Sequence, residues 1–140
     1  MRKTNYSYEN SKLSITCQGN SLITLTFSPN ATITEADVKM ADQRIKWLAG
    51  TTSHFLIVDL SRDPVIPTEV QEYAAKLDVN PNKVAEAIIV SSGWQARAAN
   101  LYRNYLRKTH YEQRFFISSE KAREWIEMQI QKNNAGKARQ

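Results

Sequence analysis

The chain has 140 residues, 41% hydrophobic and 24% charged, with only four Gly and four Pro, the composition of one ordinary globular domain. A chain of this length buries roughly 68% of the surface its unfolded form exposes, so it needs no disulfide, metal or cofactor to be stable. The longest apolar runs, Phe55-Leu56-Ile57-Val58 and Ala87-Ile88-Ile89-Val90, are far too short to span a bilayer, which excludes a membrane-spanning helix. The segment MRKTNYSYENSK has no apolar stretch behind its basic residues, which predicts no secretory signal and a cytoplasmic protein. The single Cys17 agrees, since one cysteine forms no internal disulfide and makes no thiolate-rich metal site alone.

The net charge of +5 is uneven along the chain. Residues 97–114 carry Arg97, Arg103, Arg107, Lys108 and Arg114 against Glu112, the tail 132–140 carries Lys132, Lys137 and Arg139 with no acid, and the remainder is slightly acidic. A chain-wide nucleic-acid footprint is therefore not predicted.

In chain order, KLSITCQ (12–18) and SLITLTF (21–27) alternate apolar and polar residues around Gly19-Asn20, which predicts a hairpin with a two-residue turn. Leu22 is out of phase with Ile23, Leu25 and Phe27, so the register stays open. Thr34 with Asp37 three residues on predicts a capped helix carrying Val38, Ala41, Ile45 and Leu48 and stopped by Gly50. Phe55–Leu60 reads as a buried strand, and Thr68 to Gln71 as a capping box that makes Thr68 the N-cap of a helix through about Leu77, ended by Asn80-Pro81-Asn82. Ala87–Val90 reads as a second buried strand, and Ser92 to Gln95 as a capping box opening a helix to about Lys108. Arg114–Ile117 is a last strand, and Ser118 or Ser119 caps a final helix with Ala122, Trp125, Ile126 and Ile130 on its apolar face. The order ββαβαβαβα predicts an α/β domain over residues 1–131, with a mixed, mostly parallel sheet of about five strands, four helices and right-handed crossovers. KNNAGKARQ (132–140) has no large apolar residue and is expected to fray.

This order, with IVDLS at 57–61 and PTEVQEY at 67–73, resembles the STAS domain. ITEADVKMADQRIKWL, LIVDLSRDPVIPTEVQEYAA, AEAIIVSSGWQARAANLYRNYL and FFISSEKAREWI are similar to a small uncharacterised bacterial family of the same STAS-like (SpoIIAA-like) superfamily, over about residues 12–130. The resemblance implies the fold and a non-enzymatic interaction or regulatory role. In the anti-sigma factor antagonists of that superfamily, Asp-Ser-Ser-Gly opens the second helix and a serine is phosphorylated. Laying Asp59-Leu60-Ser61 on the family's Asp-Leu-Ser puts Pro67-Thr68-Glu69-Val70 there, so the phosphoacceptor position is Glu69, with Thr68 the only neighbouring hydroxyl. The face of Thr68 and Glu69 is a candidate partner surface.

Asp59, with Ser61 and Asp63 close behind, ends a buried strand where open α/β sheets place ligand groups, although an Asp there also satisfies the backbone of its own turn. Ser91-Ser92-Gly93 with Arg97 is a strand-to-helix turn able to hold an anion, although its capping box also occupies those donors. On the helix 94–108, Arg97, Arg103, Arg107 and Lys108 lie opposite Trp94, Tyr102 and Tyr105; Arg103, Arg107 and Lys108 are candidates to meet an acidic partner or phosphates, although such a face is more often simply solvated, and it is expected to bind nucleic acid only weakly and without sequence preference. His54 and His110 read as surface or turn histidines, and Cys17 as a buried hydrophobe. No catalytic set and no metal or cofactor site is predicted. The expected partners are a protein, including a second copy of the chain, or alternatively a small apolar or anionic metabolite or lipid held near the strand ends after Leu60 and Val90.

Overall fold

The computed structural model describes residues 5–19, 21–77, 80–92 and 110–138. Its strands are β1 (Asn5–Glu9), β2 (Leu13–Gln18), β3 (Leu22–Phe27), β4 (His54–Asp59), β5 (Lys83–Ile89) and β6 (Glu112–Phe116), and its helices are α1 (Glu35–Ala49), α2 (Thr68–Leu77) and α3 (Ser119–Ala138). The six strands form one sheet in sequential order, antiparallel through β1, β2 and β3 and parallel from β3 to β6. The helix expected over 94–108 lies outside the described residues.

The first expected strand pair forms, but Gln18 pairs with Leu22, so the loop has three residues rather than two, with Gly19 at φ 63° taking the left-handed position. The phase of Leu22 has a plain cause, because β3 sends apolar side chains to both faces of the sheet. Ile23, Leu25 and Phe27 face α1 and α2, and Leu22 faces α3. Strand β1 is an addition to the expected sheet, and it is held from outside by α1. The Arg44 guanidinium donates to the Tyr6 hydroxyl at 2.7 Å and lies 3.6 Å above the Tyr8 ring, while Tyr6 meets Trp47 edge-on at 5.4 Å.

Two apolar layers sandwich the sheet. Beneath α1 and α2 lie Leu13, Ile15, Cys17, Leu25, Leu56, Leu60 and Ile88, and Cys17 is the buried hydrophobe its alternation suggests. On the other face, Ala122, Trp125 and Ile126 of α3 close onto Phe55, Ile57, Ala85, Ala87 and Ile89, and the two alanines of β5 let the helix approach closely. Ser118 caps α3, its hydroxyl accepting from the Lys121 N–H at 3.3 Å. The tail expected to fray is helical through Ala138, because nothing in 132–138 but Gly136 interrupts a helix already propagating from a packed base.

At α1 the capping box forms as read. The Asp37 N–H donates to Thr34 Oγ1 at 3.2 Å, and Asp37 Oδ2 accepts from the Thr34 N–H at 2.9 Å, from its hydroxyl at 3.0 Å and from Lys12 Nζ at 2.8 Å. Burial alone would raise the Asp37 carboxyl, but these hydrogen bonds and the Lys12 charge outweigh it and hold its pKa below the ordinary 3.8. A carboxyl lowered in the folded state contributes stability that is complete above its unfolded value and lost as pH falls through its folded one. Asp37→Asn should therefore cost about 1 kcal/mol at pH 7, with the gap to wild type closing between pH 4 and pH 2 in urea titrations.

Candidate functional site

Alternation along a strand sends residues 83 and 86 to opposite faces, yet in β5 both point toward α1 and α2. The pairing explains it: His54 pairs with Lys83 and Phe55 with Ala85, so Val84 is an extra residue, a β-bulge. Val84 and Ala85 both turn to the α3 side, and the phase slips by one. Lys83 and Glu86, each 6% exposed, thereby meet at 3.0 Å as a buried ion pair. The other Glu86 oxygen accepts from Gln113 Nε2 of β6, and Lys83 Nζ lies 4.2 Å above the Tyr111 ring. His54 stands beside them at 1% exposure, its Nδ1 3.4 Å from the Thr52 carbonyl.

This polar cluster lines one part of a half-open pocket of about 210 Å³ between the sheet and the helix pair α1/α2. The remaining wall is mostly aliphatic: Leu25, Leu56, Val58 and Ile88 from the sheet, Val38, Ala41 and Ile45 from α1, and Ala74 and Ala75 from α2. The space exists because α2 presents alanines where a close-packed helix would present leucines. Its borders are pinned by polar ties. Lys46 pairs with Asp42 at 2.9 Å and donates to the Leu77 carbonyl at the end of α2 at 3.4 Å, while the loops entering α1 and α2 join through a bridge between Thr32 and Val65.

The residues singled out in the sequence lie elsewhere. Asp59 Oδ1 accepts from the Ser61 N–H at 2.9 Å and the Ser61 hydroxyl at 2.6 Å, which is the turn-closing role of an aspartate. Ser91 donates to Asp63 Oδ1 at 2.6 Å and so ties the loop after β4 to the end of β5. None of these four lines the cavity, which runs along the sheet face rather than beyond the strand ends; of the two residues expected to mark it, Leu60 is in its wall and Val90 is not. Thr68 is the first residue of α2 rather than its N-cap: the Pro67 carbonyl accepts from the Val70 and Gln71 N–H groups, and the Gln71 side chain donates back to the Ile66 carbonyl at 2.9 Å. Thr68 and Glu69 are both exposed. Gly93, Arg97, Arg103, Arg107 and Lys108 lie outside the described residues, and Ser92 is exposed. His110 is the exposed histidine expected, whereas His54 is not, because as the first residue of β4 it points under α1 and α2.

The sequence reading missed Lys83, Glu86 and Gln113, since charged residues ahead of AIIV look like the end of a strand and not its buried middle. The available signal was Glu86 itself, set between two alanines in VAEAII.

A lone buried charge is far more costly than a buried pair. Glu86→Ala should destabilise by about 3–5 kcal/mol, whereas the double replacement Lys83→Met with Glu86→Leu should stay within about 1 kcal/mol of wild type, both read from urea midpoints.

No protein-family model and no curated protein matches the sequence. Among solved structures, an uncharacterised protein of the DUF3478 family with a SpoIIAA-like fold, from Shewanella loihica, is similar at a TM-score of 0.52 and 17% identity, over 88% of this chain and 92% of that one. No helix among the described residues is long and apolar enough to cross a membrane. With its sandwiched mixed sheet and this structural likeness over most of its length, the chain is a single domain of the SpoIIAA-like fold.

Proposed function

We propose that this domain is a non-enzymatic binding module that holds a small, mostly apolar molecule between the sheet and the helix pair α1/α2. One observation carries the reading: a half-open pocket of about 210 Å³ against the sheet, walled mainly by aliphatic side chains. An enclosed apolar cavity of about 150 Å³ takes up benzene, so a pocket of this volume with a mainly aliphatic wall has room for an apolar guest and gains free energy as that wall loses contact with water. The non-enzymatic reading is supported by the wall's make-up, since no serine, threonine or cysteine among the described residues lines it and its three carboxylates, Asp37, Asp42 and Glu86, are each paired with a lysine. At a hundredfold excess over its dissociation constant, such a guest should add about 2.7 kcal/mol of stability. Benzene and indene are suitable first probes in a thermal-shift assay. Both should raise the melting temperature of the wild-type protein, and Ala74→Phe, which fills the cavity from α2, should abolish the rise; no shift with either probe would refute the reading.

A second reading, as an interaction or regulatory module, is favoured by Trp47, which is 56% exposed on α1 beside Tyr6 and edge strand β1. Its partner is a protein or a second copy of the chain. For the second copy, the mass measured by light scattering at micromolar concentration should be that of two chains and should fall to one in Trp47→Ser.

A further inference from the structure

We infer that the molecule held in the cavity carries one uncharged hydrogen-bond donor, an N–H or O–H, on an apolar body of bicyclic size, and that Glu86 receives this donor. The inference deepens the ligand-binding reading and rests on it.

Size comes from the void. If about 150 Å³ admits the six carbons of benzene, 210 Å³ admits roughly eight non-hydrogen atoms, and the open side of the pocket leaves room for a ninth. Polarity comes from Glu86. A carboxylate offers about four acceptor positions, and Glu86 uses one on Lys83 and one on Gln113. Its remaining acceptor capacity belongs to a 6%-exposed side chain that forms part of the cavity wall. A donor placed there gains a hydrogen bond to a charged oxygen in surroundings of low dielectric, whereas an apolar atom in the same place leaves that capacity unused.

The charge state of the guest follows from the pair. Lys83 and Glu86 neutralise each other at 3.0 Å, and the other carboxylates in the wall are paired as well, Asp37 with Lys12 and Asp42 with Lys46, so a charged guest would bring an unmatched charge into a mostly aliphatic pocket. A neutral donor brings none. An acceptor-only guest would set its lone pairs against those of the carboxylate.

Three bicyclic probes of nearly equal shape separate these cases: indole, which donates through N–H; indene, which has a CH2 there; and benzofuran, which has an acceptor oxygen. Calorimetric titration of the full chain should show indole binding about tenfold or more tighter than either of the others. Equal affinities for indole and indene would overturn the inference while leaving cavity binding intact, and tighter binding of benzofuran would overturn it in favour of an acceptor read by Lys83. If none of the three binds, the ligand-binding reading fails and the inference with it. In Lys83→Met with Glu86→Leu, the preference for indole should vanish while indene binding persists. A preference that survives in a variant shown by circular dichroism to be folded would show that Glu86 does not read the donor. Should that variant not fold, the comparison of the three probes on the wild-type protein decides by itself.

Discussion

Everything distinctive in this domain depends on the phase of β5. The strand is buried on both sides, and α3 requires small residues facing it, which fixes Ala85 and Ala87 on that side. Residue 86 must then face α1 and α2, whatever its chemistry. With Glu86 committed to the core, the energetics leave two outcomes, a neutral carboxyl or a partner of opposite charge. The bulge at Val84 provides the partner, turning Lys83 onto the same face at salt-bridge distance. A single inserted residue thus converts an untenable buried charge into a neutral pair.

The cavity is the second consequence. Lys83, Glu86 and His54 occupy part of the sheet face under α1 and α2, whereas α3 settles on alanines on the other side. On that opposite side Ala122 and Ile126 are fully enclosed. Over the polar cluster, α2 is held by its ends, through Lys46 at the carboxyl terminus and the joined loops at the amino terminus, and its alanines leave the middle open.

How much of this was legible in the sequence follows the strength of local signals. Periodicity located α1 and α2, and Thr34, Asp37 and Gly50 marked the ends of α1 because capping is local chemistry. The likeness to the SpoIIAA-like fold was readable from the order of elements and holds in the structure. β1 was missed although Tyr6 and Tyr8 alternate with polar residues, because its anchorage is Arg44, a residue 38 positions away from Tyr6. Thr68 misled because Ser or Thr before a Gln reads as a cap, whereas Pro67 supplies the helix with its first carbonyl one residue earlier. The site was the least legible part. Lys83 and Glu86 carry the two charges of KVAEAII, and only the bulge, a property of pairing with β4, makes both of them interior. The acidic and hydroxyl residues that the sequence advertised, Asp59, Ser61, Asp63 and Ser91, turned out to hold loops to one another.

The sequential order of the sheet also bears on how the chain acquires its shape as it leaves the ribosome. Each strand emerges next to the one it pairs with, so the sheet can grow from β1 toward β6 without waiting for a distant segment. Its second face is different. Phe55, Ile57, Ala85, Ala87 and Ile89 are translated long before residues 119–138, the helix that covers them. A nascent chain released short of that helix therefore exposes a greasy parallel sheet, the kind of surface that chaperones recognise and that drives truncated products to aggregate.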